Sequence, residues 1–454
     1  MSIRSEAGKT WKLSGPIIFG ELTQLSLGII DNIMVGAIDY KNLAAASLVN
    51  AVINIPFVVA FGITMSISQM VSMANGRKNG LMVSHYLFNG FWLCTIVAIL
   101  IALLLDFGKN SIYYFGQDPE VAELAVPYLQ IMGWSIVPMV MFIAVKQFTD
   151  GLEKTYTAMV LSLLALPVNV ALNWVLIYGN WGFPELGLVG AGYGTLITRI
   201  IICIALLTVV FIHPMFKRYV AVRRSQWKLK MGTLKSLLQI GIPSGMQVGM
   251  ESGAFAVSGI LIGTLGAVEQ AAHQIALNCA AFTFMVSLGL AQGGSIRVSN
   301  AYGRSSWMDI TSIGKSTLIM GLGYGIFCAL FFVLAKNILP LAFTDESAVI
   351  SLASTLLLFA ALFQISDATQ AIGVGLLRGI KDVRISTLYV AIAYWVLGIP
   401  VGCLMAFVFD LGAIGMWIGF VSGLTFSSIL LNRRFFHLIK KIRAGFISKP
   451  LNKS

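Results

Sequence analysis

Apolar residues in this chain run in long blocks separated by short polar connections, with neither strand alternation nor a narrow helical stripe. A hydrocarbon core takes about 20 apolar residues as helix. Blocks of that length predict twelve spans, at approximately 13–38, 45–74, 86–107, 124–148, 156–179, 188–213, 236–262, 270–300, 312–336, 348–376, 384–409 and 412–437. Several exceed 25 residues, which predicts tilt or bending. Pro16, Pro138, Pro167, Pro243 and Pro400 are the expected bend points. The first block follows the basic segment MSIRSEAGKTWKLSG. It is too long for a signal-peptide core and shows no small-residue cleavage pattern, so an uncleaved first helix is expected.

Composition supports the pattern. Of the 454 residues 57% are hydrophobic and 11% charged, with a mean hydropathy of +0.84. Soluble domains carry about 25% charged residues, so the class is a polytopic membrane protein. The five cysteines all lie in apolar runs, where they read as small core residues rather than disulfides or zinc ligands. The net charge of +12 would suit a nucleic-acid partner, but its distribution argues otherwise. Bases gather in alternate connections: GRKNG (76–80), DGLEK (150–154), FKRYVAVRRSQWKLK (216–230), YGRSS (302–306), LRGIKDVR (377–384) and the tail KKIRAG (440–445). The other connections are mainly acidic. The excess of bases on one side places that side, and both termini, in the cytoplasm.

The chain is also duplicated. At a constant offset of 227, residues 14–77 lie on 241–304: Pro16 meets Pro243, Gly36 meets Gly263, Gly62 meets Gly289, and Gly76-Arg77 meets Gly303-Arg304. Further on, ELGLVGAGYG (185–194) lies on DLGAIGMWIG (410–419). The expected fold is all-α, with twelve transmembrane helices in two six-helix lobes. An even number of spans per half makes the repeat parallel, with a pseudo-two-fold along the membrane normal. The expected division is an N-lobe 1–213, a cytoplasmic linker 214–235, a C-lobe 236–437 and a tail 438–454.

Four acids fall inside spans: Glu21, Asp31, Glu251 and Asp367. A carboxylate at the bilayer centre costs about 2.5–3.5 kcal/mol even on the lenient insertion scale. It needs a proton, a cation or a hydrogen-bonding cavity. At ~100° per residue, Ser244, Gln247, Glu251 and Ser258 fall within roughly 60° of one another, opposite the glycines at 249 and 253. Glu21, Gln24 and Asp31 make a similar seam in the first span. Under the repeat, Gln24 overlays Glu251 and Asp31 overlays Ser258. Further polar positions are Gln364, Asp367 and Gln370 at three-residue steps, Asn169 and Asn173 one turn apart, and His273, Gln274 and Asn278. The amides are equally well explained as interhelical hydrogen bonds. His273 is expected to pack rather than bind metal. Glu21 is near a helix end, where it can snorkel or cap. Arg199 and Lys146 are the deep bases, and a salt bridge from Arg199 to one acid is the alternative account of the buried charges. SIGKST (312–317) mimics the end of a phosphate-binding loop, but the upstream glycine position holds Asp309. No enzyme is expected.

AAHQIALN, SIRVSNAYGR, SDATQAIGVGLLRGIKD, AYWVLGIPVG and GIIDNIMVG together resemble the multidrug and toxic compound extrusion family, closest to its NorM-like branch. The resemblance covers nearly the whole chain. It implies an exporter in the bacterial inner membrane, expelling cationic amphiphilic drugs or dyes in exchange for Na⁺ or H⁺. It implies no permanently bound cofactor, and a monomer is expected. It places a C-lobe coupling cation on Glu251 and Asp367, and a second cation or proton site on Asp31, Asn169, Asn173 and Thr195. Gln24, Gln247, Gln274, Asn278, Phe363 and Gln364 are the candidate cavity residues. Phe363 stands where the family sometimes has a tyrosine, which removes one oxygen from the C-lobe site.

Two physical arguments run beside the resemblance. Burial of a carboxyl group favours its protonated form, which suits H⁺ exchange. Paired carboxylates with amide oxygens suit Na⁺, a hard cation. Two other functions share parts of this pattern. A lipid-linked-precursor flippase would need several cavity bases for its pyrophosphate, and the deep charges here are mainly acidic. A channel would conduct without counter-transport.

Overall fold

The structure is a computed structural model that describes residues 3–114, 116, 118–220 and 227–444. The centre of the basic linker (221–226) and the tail from 445 onward lie outside the described residues. Among the described residues there are helices and turns but no strand. Before residues 221–226 come α1 (Ile3–Gly36), α2 (Tyr40–Gly76), α3 (Gly80–Gly108), α4 (Pro119–Gly151), α5 (Thr155–Tyr178), α6 (Gly187–Ile212) and, within the expected linker, the short α7 (Pro214–Val220). After them come α8 (Met231–Gly263), which begins within that linker, α9 (Ala267–Gly303), α10 (Trp307–Ala335), α11 (Ser347–Gly379), α12 (Val383–Val408) and α13 (Gly412–Arg443).

All twelve expected spans are helices, most of them longer at both ends than their apolar blocks. Eleven are long and apolar enough to cross a membrane. The one outside that set is α8, whose 33 residues carry the polar seam and the glycines that dilute its apolar content. The repeat is visible in the lengths. Helices α2 and α9 both have 37 residues, α3 and α10 both 29, and α4 and α11 both 33. It extends to the turns. Lys78 and Ser305 share a positive φ of 57° and 58°, as do Glu153 and Lys381 at 61° and 67°, and Gly187 and Gly412 at 54° and 56°.

The chain packs into two compact units, Phe19–Gly245 and Met1–Ile18 with Met246–Ser454. The expected boundary lay in the linker, whereas the contacts divide α1 and α8 themselves. In the first unit α4 is central, packing on α2, α3 and α6, with α5 against α6. The second unit repeats this with α11 central among α9, α10 and α13, and α12 against α13. The start of α1 is fastened into the second unit. Leu13 and Ile17 form a buried cluster with Ile296. Arg297 bonds the Glu6 carboxylate, the Glu6 carbonyl at 2.8 Å and Thr10 Oγ1 at 2.6 Å. Close glycine contacts follow the same logic. A Cβ at Gly62 would collide with the Gly245 backbone in the first unit, and one at Gly289 with Ile18 in the second. Gly241 and Gly245 of the α8 glycine series therefore give α2 its close approach, as small residues do between membrane helices.

Pro16, Pro138, Pro167 and Pro243 all lie inside helices. Pro400 lies between two π-helical segments of α12, Ile392–Gly398 and Leu404–Val408. A proline lacks the N–H that continues an α-helical ladder, and π segments often occur at functional sites.

Candidate functional site

In the second unit, α8 turns Gln247, Glu251 and Ser258 to its polar side. Gln247 is 2% exposed and Ser258 fully buried, while Glu251 is half-buried. From α11 come Gln364, Asp367 and Gln370, all buried, as their three-residue spacing predicts. The two helices meet at Glu251. Its Oε1 accepts from Gln247 Nε2 at 3.2 Å and from Gln370 Nε2 at 3.3 Å. Gln370 also reaches the Tyr394 hydroxyl at 3.4 Å. The charges of Glu251 and Asp367 act on each other. No ion pair closes on either, and no hydrogen bond reaches Asp367, among the described residues. The amide oxygens of the two glutamines, Gln247 Oε1 and Gln370 Oε1, are buried without a partner. Native interiors leave few such atoms unpaired. Two carboxylates and two orphaned amide oxygens are what a hard monovalent cation or a shared proton would satisfy.

In the first unit, α1, α5 and α6 bring together the other predicted set. Asp31 Oδ1 accepts from Asn173 Nδ2 at 2.6 Å, and Asp31 Oδ2 from Thr195 Oγ1 at 3.1 Å. Asn173 Nδ2 also reaches Asn169 Oδ1 at 3.3 Å. The side-chain oxygen Asn173 Oδ1 lies against Gly194, where a Cβ would overlap it. Arg199 stands one turn beyond Thr195. It donates to Ser135 Oγ at 2.5 Å, and its charge acts on Asp31 without closing an ion pair.

The buried-salt-bridge reading fails for Arg199 but holds for Lys146. Lys146 lies 3.0 Å from Glu21 and 3.5 Å from Asp150. Glu21 is thus part of a buried charge triad rather than a free rung of the α1 seam.

The remaining cavity candidates are scattered. Gln24 is half-buried. Gln274 and Asn278 are exposed and bond each other at 3.1 Å, one turn apart on α9. Phe363 is 3% exposed and sits in an aromatic cluster, with ring centroids 6.1 Å from Phe255 and 5.6 Å from Trp417. His273 packs there too, 6.0 Å from Trp417. This cluster occupies the repeat counterpart of the Asp31 site: Phe420 stands for Thr195, Phe363 for Ser135 and Ser258 for Asp31. The two units therefore keep one architecture and exchange polar chemistry for aromatic packing.

Two residues escaped the sequence reading. Tyr394 lies inside a quoted motif, but its π segment rotates it out of α-helical phase. Arg378 reads as a loop base, yet it is in the last turn of α11, 5% exposed, and its charge acts on Glu251.

The MatE family model matches residues 16–175 and again 243–404. The two matches begin 227 residues apart, at the internal offset of the repeat. The chain belongs to the MatE family. Family relatives include "Probable multidrug resistance protein NorM" of Rhizobium meliloti, 35% identical over 440 residues, covering 95% of this chain and 94% of the relative. A protein of the same name from Mesorhizobium japonicum is 31% identical, with 99% and 96% covered. The crystal structure of the eukaryotic MATE transporter AtDTX14 superposes with a TM-score of 0.88 at 20% identity, covering 98% of this chain and all of that one. At that identity the likeness shows a shared MatE fold.

Proposed function

We propose that this MatE-family chain is a secondary active multidrug exporter in the bacterial inner membrane, with both termini cytoplasmic. It expels cationic amphiphilic compounds in exchange for Na⁺ or H⁺. The observation that carries the reading is the pair Glu251 and Asp367. These carboxylates are held near each other by α8 and α11, lack an ion-pair partner among the described residues, and adjoin two orphaned amide oxygens. An acid pair of this kind is costly inside a membrane unless a cation or proton compensates it.

The exchange follows from charge. With the pair ionised, the second unit attracts a cationic substrate. An arriving Na⁺ or H⁺ neutralises the pair and weakens that attraction. A parallel repeat gives alternating access two equivalent halves to work with. Gln247 and Gln370 orient Glu251 through its Oε1. Tyr394 in turn holds Gln370.

Dye efflux from proteoliposomes under separately imposed Na⁺ and H⁺ gradients tests this. One gradient is expected to drive efflux, and Glu251→Gln with Asp367→Asn to abolish the driven part. Full gradient-driven efflux by that double variant, at normal reconstitution, would overturn the mechanism. Efflux that needs no gradient at all would indicate a channel.

A further inference from the structure

The Asp31 carboxylate, like that of Glu251, accepts from side-chain donors, but it uses both of its oxygens to do so. Asn173 Nδ2 and Thr195 Oγ1 both give hydrogens to the carboxylate. The one orphaned oxygen nearby, Asn173 Oδ1, faces Gly194 on α6 rather than Asp31. A Na⁺ site needs several oxygens converging on one point, and here the one unpaired amide oxygen is turned away, whereas beside Glu251 two are unpaired. The site also already holds a cation. Arg199 shares a face of α6 with Thr195, is fixed by Ser135 of α4, and acts electrostatically on Asp31 and on Tyr128 of α4. Around Asp31 the facing groups are thus Tyr128 and Ser135 from α4, Asn169 and Asn173 from α5, and Thr195 and Arg199 from α6. Asp31 and Arg199 sum to zero charge. In the second unit Arg378 acts on Glu251 in the same way, but there two acids face one base, so a net negative charge remains for a cation to neutralise.

We propose that Arg199 is the resident cation of the Asp31 site and excludes Na⁺ from the first unit, so that Asp31, Asn169, Asn173 and Thr195 do not form a second metal-ion site in this chain. The inference rests on the chain being a cation-coupled transporter but not on which ion couples. A Na⁺ at Asp31 would be repelled by the Arg199 guanidinium; for two unit charges about 7 Å apart at an effective dielectric near 20, such repulsion lowers affinity roughly 50-fold.

Radiolabelled Na⁺ binding to the purified full-length protein provides the test. Asp31→Asn is expected to leave the Na⁺ bound by the wild type unchanged. Arg199→Gln is expected to add one equivalent of Na⁺, which Asp31→Asn in the same chain removes again. Arg199→Lys keeps the charge and is expected to behave as the wild type. The proposal is overturned if Asp31→Asn lowers Na⁺ binding in the wild-type background, or if folded Arg199→Gln gains no Asp31-dependent Na⁺. Should neutral variants at 199 not fold, the Asp31→Asn measurement decides alone, a fall refuting and no fall supporting. Failure of the coupling reading shows separately, in efflux by the Glu251→Gln/Asp367→Asn variant.

Discussion

Replacing Lys146 with Met removes the one base in ion-pair distance of two carboxylates among the described residues, while keeping a side chain of similar length. The ammonium lies 3.0 Å from Glu21 Oε1 and 3.5 Å from Asp150 Oδ2. At an effective dielectric near 20, each contact is about 5 kcal/mol of gross attraction. Most of that offsets the desolvation of the three groups. The acids lose unequally. Asp150 is 1% exposed and neither of its oxygens accepts a hydrogen bond, so it is left without compensation. Glu21, with its side chain 12% exposed, keeps some hydration. Removing one partner of a buried pair typically costs about 3–5 kcal/mol, and Lys146→Met is expected to fall in that range. Adding Asp150→Asn should restore more than half of the loss, and adding Glu21→Gln most of the rest. Unfolding of the detergent-purified protein, followed by tryptophan fluorescence, gives the order. A Lys146→Met protein as stable as the wild type, or one that Asp150→Asn does not rescue, would refute the reasoning.

Other outcomes follow from the same geometry. Glu251→Gln can keep its contacts to Gln247 and Gln370, so stability should hold, while half-saturation by the driving ion rises by at least 100-fold in proteoliposome efflux. Tyr394→Phe retains the ring packed 5.8 Å from Phe255 and loses only the hydroxyl on Gln370. A 3- to 10-fold rise in half-saturation, with unchanged thermal stability, is expected. Gly62→Val and Gly289→Val each drive a side chain into a neighbouring helix and should lower stability by about 1–3 kcal/mol or more, whereas Gly28→Ala meets nothing within 4 Å and should be neutral in the same unfolding assay.

The spans and the duplication were legible because apolar block length and a constant offset survive in a single chain. Asn169 and Asn173 were legible as one face of α5, whereas their grouping with Asp31 and Thr195 came from the family resemblance and not from periodicity. Tyr394 was not legible, since a face extrapolated at α-helical pitch drifts once the ladder becomes i→i+5. Arg378 was hidden by its neighbours: Lys381, Asp382 and Arg384 made a buried side chain look like part of a loop. The Lys146–Glu21 pair joins residues 125 apart, which periodicity within one helix does not reveal. Polarity alone also failed to separate Gln247, drawn onto Glu251, from Gln274 and Asn278, which bond only each other.

The division inside α1 and α8 bears on how the protein is made. Its two boundaries, after Ile18 and after Gly245, are equivalent positions of the repeat. The first unit is incomplete until residue 245 has left the ribosome, and the second draws on residues synthesised at the very start. Neither half of the gene therefore encodes a finished unit, and separately expressed halves would each lack a segment. An exchange of equivalent segments is the signature of domain swapping between copies. Joining two swapped six-helix copies end to end produces this arrangement directly, with the fusion making the swap permanent.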